Sequence, residues 1–249
     1  MSRLEELIQE LCPESVEYRK IEEVANYEQP SKYIVKSTQY DDSYVTPVLT
    51  AGQTFILGYT NETDGVFQAS KDNPVIIFDD FTGAFKWVDF PFKVKSSAMK
   101  IITTKENNMP LRYLFYIMGY LGFKSDEHKR LWISIYSRLE IPVPPLEVQR
   151  EIVRILDNFT ELTAELTAEL TARKKQYEYY RDDLLKFDHS IPMVTLRDVA
   201  SFRNGKGHEK NIADNGKYVV INSKFISTNG QIVKTSDEQL SPLYTHGNE

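Results

Sequence analysis

A chain of 249 residues holds one good hydrophobic core and part of a second. A formal net charge of −6 excludes a general-purpose nucleic-acid sponge, and the single cysteine, Cys12, excludes an internal disulfide framework and suits a reducing cytoplasm. No apolar run is long enough to cross a membrane, and the acidic, amphipathic start, Met-Ser-Arg-Leu-Glu-Glu-Leu-Ile-Gln-Glu, is not a secretory signal.

In chain order, Ser2–Leu11 predicts a short helix with Leu4, Leu7, Ile8 and Leu11 on one face, ended by Cys12-Pro13. Val16–Tyr27 predicts a strand turning into a short helix, and Pro30–Asp42 a polar loop. Val45–Thr50, Thr54–Tyr59, Val75–Phe78, Ala84–Val88, Phe92–Val94 and Met99–Thr103 are rich in strand formers, and Gly, Pro, Asn and Asp punctuate them. Pro110 opens an apolar helix, Leu111–Leu121, which closes near Gly122. Trp132–Glu140 reads as a last strand. This half of the chain is α+β, with a mixed or antiparallel sheet.

The charge is unevenly spread. Residues 1–85 carry 6 Lys/Arg against 15 Asp/Glu, and residues 86–138 carry 10 against 4. A basic surface on an acidic protein suits a selective DNA reader, because only the phosphate-facing side has to be positive. An ordinary imbalance among solvated side chains gives the same counts.

From Pro142 to Lys186 the pattern changes. After Pro144-Pro145, which suit a helix start, the chain runs about forty residues without proline or glycine, roughly 60 Å of helix. The unit Thr-Ala-Glu-Leu occurs at Thr163–Leu166 and Thr167–Leu170, with a partial third copy at Thr171-Ala172. Ile152, Ile155, Phe159, Leu162, Leu166, Leu170, Tyr177, Tyr180 and Leu184 fall mostly three and four residues apart, one greasy stripe on a helix. Such a rod is unstable alone in water. It calls for a partner helix, as a coiled coil, and all of these positions except Tyr180 form the candidate partner-helix interface.

The rod divides the chain into residues 1–140, a first globular domain, 141–187, the long helix, and 188–249. Ile21-Glu22-Glu23-Val24-Ala25-Asn26-Tyr27 aligns with Leu196-Arg197-Asp198-Val199-Ala200-Ser201-Phe202, so the third part restarts the first. Gly205-Lys206-Gly207 reads as a loop and Tyr218–Asn222 as a strand. With about sixty residues against nearly 130 in the first copy, the expectation is a truncated and loosely packed second domain.

No catalytic set stands out. Gly205-Lys206-Gly207 lacks phosphate-loop spacing, and Val143-Pro144-Pro145-Leu146 lacks the amide and aromatic of an amino-methyltransferase loop. Asp79, Asp80 and Glu127 make a faint nuclease-like trio of carboxylates, although a turn after a strand is the simpler use of Asp79-Asp80. His128, His189, His208 and His246 are scattered, and none pairs with Cys12 at metal-ligand spacing, so neither a metal nor a cofactor is expected in this chain.

Binding is what remains. Lys86, Lys93, Lys95, Lys100 and Lys105 recur beside Trp87, Phe90 and Phe92, Ser96 and Ser97 add hydroxyls for phosphates or base edges, and Tyr59, Thr60 and Asn61 form a polar aromatic loop. Apart from Lys105 and the three aromatic residues beside the lysines, these are the candidate DNA-binding residues. For any single one, a solvated strand face is the blander use.

The sequence resembles the specificity subunit of type I restriction–modification systems. The likeness is carried by Ile141-Pro142-Val143-Pro144-Pro145-Leu146-Glu147-Val148-Gln149-Arg150-Glu151-Ile152, by the Thr-Ala-Glu-Leu units, by Lys174-Lys175-Gln176-Tyr177-Glu178-Tyr179-Tyr180-Arg181, and by Gly58-Tyr59-Thr60 with Phe78-Asp79-Asp80-Phe81-Thr82. It implies two target-recognition domains held apart by antiparallel spacer helices, each domain reading half of a split site in double-stranded DNA. It implies a chain without catalysis that docks methyltransferase subunits, which use S-adenosylmethionine, and a restriction subunit with ATP-driven translocase and Mg-dependent nuclease activity. One full domain, one spacer and a fragment depart from the family's usual length. The chain is then a truncated form that is inactive, or one that pairs with a second copy of itself through the spacer helix. A coiled-coil interaction protein without DNA binding, and a nuclease using the three carboxylates, stand as alternatives.

Overall fold

A computed structural model describes residues 2–50, 54–105, 109–123, 130–187 and 191–204, together with the backbone of 218–219 and 240–241. Two compact units divide the chain, residues 1–176 and 177–249.

The first unit opens with α1 (Arg3–Leu11). Its start is a capping box: the Glu5 amide donates to Ser2 Oγ at 3.3 Å and the Ser2 amide to the Glu5 carboxylate at 2.7 Å. Then come β1 (Tyr18–Lys20), the single turn α2 (Ile21–Val24), β2 (Ala25–Glu28) and a 3-10 turn over Pro30–Tyr33. The strand-rich stretch supplies β3 (Thr46–Leu49), β4 (Ile56–Thr60), β5 (Val75–Asp79), β6 (Phe85–Val88), β7 (Lys93–Val94) and β8 (Met99–Thr104). Next is α3 (Leu111–Leu121), closed by Gly122 at φ 56°, a left-handed cap that favours glycine.

Strands β2 to β8 form two sheets. One is antiparallel, in the order β2-β8-β5-β6. The other is mixed, β4-β3-β7, with β3 and β4 antiparallel and β3 and β7 parallel. Strand β5 explains why Val75-Ile76-Ile77-Phe78 is an unbroken apolar run: it is buried on both faces. Ile76 and Phe78 pack with Tyr113, Leu114 and Met118 of α3 in one core. Val75 and Ile77 pack with Val88, Phe92, Val94 and Ile101 in a second. The alternation is the period-two geometry of a strand.

The segment expected as a last strand is mostly something else. The amides of Ile135 and Tyr136 both donate to the Leu131 carbonyl, and Tyr136–Arg138 is a 3-10 turn. Trp132 and Tyr136 stack at 5.8 Å in the core, a side-by-side contact that residues four apart make on a coiled backbone and never on an extended one. Only Glu140–Pro142 is extended, as β9, and it pairs antiparallel with β1. That ladder brings the end of the domain back to its beginning, and α4 (Leu146–Leu184) leaves from there. At 39 residues, α4 is about 58 Å long.

In the second unit, Thr195 precedes the single turn α5 (Leu196–Val199), and its amide donates to the Asp198 carboxylate at 3.0 Å. α5 repeats α2 in backbone as well as in sequence. Each is four residues long and each exits through an extended alanine whose amide bonds back to the first residue of the turn, Ala25 to Ile21 and Ala200 to Leu196. Strands β10 (Tyr218–Val219) and β11 (Leu240–Ser241) pair antiparallel. The expected Gly205–Gly207 loop and residues 220–222 of the expected strand lie outside the described residues.

Candidate nucleic-acid interface

The fold separates lysines that look alike in sequence. Lys93 is buried; its ammonium lies 3.0 Å from the Glu62 carboxylate and donates to the Asp64 carbonyl at 2.6 Å. Gly65 permits that wrap: it sits at φ 61°, and a Cβ there would lie 2.5 Å from the Lys32 carbonyl oxygen. Glu62 also accepts the amides of Lys36 and Ser37 at 2.9 and 2.8 Å. Burial acts to raise the Glu62 carboxyl, but the Ser37 amide, the Lys93 ammonium and the Lys36 amide outweigh it and hold the group below its ordinary value.

Lys100 is buried too. Its ammonium lies 3.0 Å from the equally buried Asp80 and donates to the Gln29 side-chain oxygen at 2.5 Å. Asp80 completes the lock by accepting the Trp132 amide at 2.8 Å. Both lysine charges are therefore neutralised inside the fold, and the expectation that Lys93 and Lys100 contact phosphates is corrected: a buried cation must be paired, and theirs are. Thr60 is likewise buried, its hydroxyl accepting the Glu62 amide at 3.3 Å.

The other candidates remain at the surface. Lys86 and Asn61 are exposed, and Tyr59, Lys95, Ser96 and Ser97 are half-buried. Lys95 donates to the Tyr40 hydroxyl at 3.3 Å and lies 5.7 Å from its ring. Ser96 Oγ accepts the Ala98 amide at 3.3 Å. These residues stand on different sheets: Lys86 sits on β6, at an edge of the four-stranded sheet, while Tyr59 is on β4 of the other and Asn61 follows it.

Asp79 does what a turn asks. One oxygen accepts the Phe81 amide at 2.9 Å and the other the Thr82 hydroxyl at 2.6 Å. With Asp80 paired to Lys100, two members of the nuclease-like trio serve structure; Glu127 lies outside the described residues. Among the described residues no three His, Cys, Asp or Glu side chains are placed to hold a metal ion.

Sequence reasoning missed the joint between domain and rod. The Arg112 guanidinium lies 4.8 Å from the Trp87 ring, 5.3 Å from Phe115 and 5.1 Å from Tyr116, and its Nε is 2.6 Å from Asp157 of α4. The Tyr116 hydroxyl donates to the same Asp157 oxygen at 2.5 Å. The i,i+4 spacing of Arg112 and Tyr116 on α3 was the available signal.

The helix stripe divides at this joint. Ile152 packs on the domain's own core and Ile155 is half-buried, so Ile152 is corrected from partner-helix interface to domain anchor. Beyond Asp157 the stripe is bare: Phe159, Leu162, Leu166, Leu170, Tyr177 and Leu184 are 48–72% exposed. The threonine hydroxyls are satisfied within the helix. Thr163, Thr167 and Thr171 each donate to the carbonyl four residues back, at 2.7, 2.7 and 2.9 Å.

Residues 13–173, the strand-rich domain through the Thr-Ala-Glu-Leu units, match the type I restriction modification DNA specificity domain. The chain belongs to this family. It is 53% identical over 222 residues to a type I restriction enzyme specificity subunit of Escherichia coli, covering 85% of this chain and 54% of that protein. It is 33% identical over 209 residues to a Haemophilus influenzae protein named for the same role, covering 79% of this chain and 53% of the relative. The chain thus spans about half the length of the specificity subunits it matches. A crystal structure of the Mycoplasma genitalium S subunit aligns with 70% of this chain and 46% of its own, at 16% identity and a TM-score of 0.48. No described helix is long and apolar enough to cross a membrane.

Proposed function

We propose that this chain is the DNA-reading component of a cytoplasmic type I restriction–modification complex. Residues 1–140 are one target-recognition domain for half of a split site in duplex DNA, 141–187 are the spacer, and 188–249 begin a second recognition domain. The observation that carries the reading is the family-matched domain running into a 39-residue helix that is fixed to it at Asp157 and bare beyond.

The bare stripe calls for a second helix. That helix is a downstream spacer in a longer chain or the same helix of a second copy. Acidic Glu161, Glu165 and Glu169 precede basic Arg173, Lys174 and Lys175, so antiparallel pairing sets opposite charges against each other. Chemistry belongs to the partners: methyltransferase subunits with S-adenosylmethionine, and a restriction and translocase subunit with ATP and Mg.

The test is methylome sequencing of cells carrying the methyltransferase subunits with and without this chain. A split motif that appears only with the chain supports the reading. Methylation that is the same in both cultures refutes it.

A further inference from the structure

The basic surplus of residues 86–138 does not reach DNA through Lys93, Lys100 or Arg112, whose charges are paired with Glu62, Asp80 and Asp157. Two cations of the segment come together elsewhere. Lys105 and Arg138 stand on the rim of an open cleft of about 320 Å³, next to α2. Lys105 is held by donating to the Glu22 carbonyl, and neither cation has a carboxylate partner among the described residues. Arg130, two residues before Trp132, is half exposed and only loosely near Asp80 at 3.6 Å.

The cleft has an aromatic floor. Trp132 is buried and meets Tyr27 edge-on at 6.2 Å, while Tyr27 and Ile133 are 45% and 57% exposed. Besides the two cations its polar groups include Glu22 and Asn26, both exposed, and Ser137, which is buried. Asn26 makes no side-chain hydrogen bond among the described residues, and the Glu22 carboxylate accepts only a long 3.4 Å bond from Ser137. A carboxylate repels phosphate, but it accepts from a base amino group, and a free amide pairs with a base edge. Cations that seek phosphate thus flank two groups suited to bases.

Resting on the proposed DNA-reading role, we infer that this cleft is a duplex-DNA contact, with Lys105 and Arg138 on the phosphate backbone and Asn26 and Glu22 on base edges. The internal repeat supports it. The second copy keeps the scaffold positions of the first, with Leu196 for Ile21, Val199 for Val24, Ala200 for Ala25 and Phe202 for Tyr27. It changes the two polar ones, with Arg197 for Glu22 and Ser201 for Asn26. A scaffold that repeats while its outward groups change is what two readers of different bases require.

The experiment uses the full chain assembled with its methyltransferase subunits, and measures binding to duplexes with and without the methylated motif across a salt series. The charge-removing pair Lys105→Gln with Arg138→Gln should flatten the slope of log K against log salt by about 1.8, two contacts at roughly 0.9 each. Asn26→Ala should leave that slope alone and cut the preference for the motif roughly 5- to 150-fold. Asn26 makes no side-chain hydrogen bond among the described residues, so that variant keeps the test sound if the double variant melts early. A wild-type slope together with wild-type preference overturns the cleft assignment, as does loss of methyltransferase subunits from the purified complex, which would make the cleft a protein-docking surface. If the unaltered complex shows no salt-dependent binding, the DNA-reading role itself fails.

Discussion

Arg112 of α3 and Asp157 of α4 meet at 2.6 Å, and three aromatic rings surround the guanidinium. This contact fixes the first three turns of the long helix to the recognition domain. In the proposed spacer role the helix transmits distance only if its root does not swing, so the pair would bear on function as well as on stability.

Arg112→Lys keeps the charge and loses the flat, stacking guanidinium. It should cost about 1–2 kcal/mol, a drop of roughly 2–8 °C in melting temperature. Adding Asp157→Asn should cost less than the sum of the two single changes, because each removes the same pair. Additive losses in that double-mutant cycle would show that the pair is not coupled.

Glu62 and Lys93 give a pH signature. The Glu62 carboxyl is held below its ordinary value in the fold. Its stabilising contribution is therefore complete above the unfolded value, about 4.3, and is lost as pH falls through the lower folded value. Glu62→Gln strands a buried ammonium and should cost roughly 3–5 kcal/mol at neutral pH. The gap in urea midpoint between wild type and variant should begin to narrow as pH falls below about 4 and go on closing in stronger acid. A gap that stays constant into acid would mean that the pair is not ionic.

Lys86 and Lys100 look equivalent in sequence and should behave differently. Lys100→Ala leaves buried Asp80 with only the more distant Arg130, 3.6 Å away, at a cost of roughly 3–5 kcal/mol. Lys86 is exposed, and Lys86→Ala should stay within about 0.5 kcal/mol. Urea titration of each variant reads the difference, and equal midpoints would contradict the burial of Lys100.

That pair of lysines marks where the sequence was legible. Strand-former composition, turn residues and Pro110 located strands β3 to β8 and helix α3 to within about two residues, because these signals are local. Thr-Ala-Glu-Leu and the proline cluster located α4 for the same reason. The fate of each charge was not local. Lys93 and Lys100 meet carboxylates 31 and 20 residues upstream, Glu62 and Asp80, and only the packed sheets bring them together. Trp132–Leu139 was misread because a β-rich composition hid a helical i,i+4 contact between Trp132 and Tyr136. Arg112 was passed over because its partner lies 45 residues away.

The Thr-Ala-Glu-Leu unit is a ruler if the proposed spacer role holds. Ala, Glu and Leu are strong helix formers, and each threonine hydroxyl bonds to the carbonyl four residues back, which in Thr167 and Thr171 is that of the preceding unit's threonine. An inserted unit therefore satisfies itself as its neighbours do. Four residues add about 6 Å and turn the helix by about 400°, some 40° past a full turn, so the leucine stripe stays nearly in register. Duplex DNA rises about 3.4 Å per base pair, so one unit corresponds to between one and two base pairs. Inserting Thr-Ala-Glu-Leu after Leu170 should lengthen the unread gap between the half-sites and leave the half-sites alone. Deleting Thr167–Leu170 should shorten it. Inserting only Thr-Ala turns the helix by about 200° and carries the stripe to the opposite face, so methylation should be lost and not respaced. Methylome sequencing of cells carrying each variant with its partners reads all three. Half-site bases that change while the gap stays fixed would show that the helix does not set the spacing.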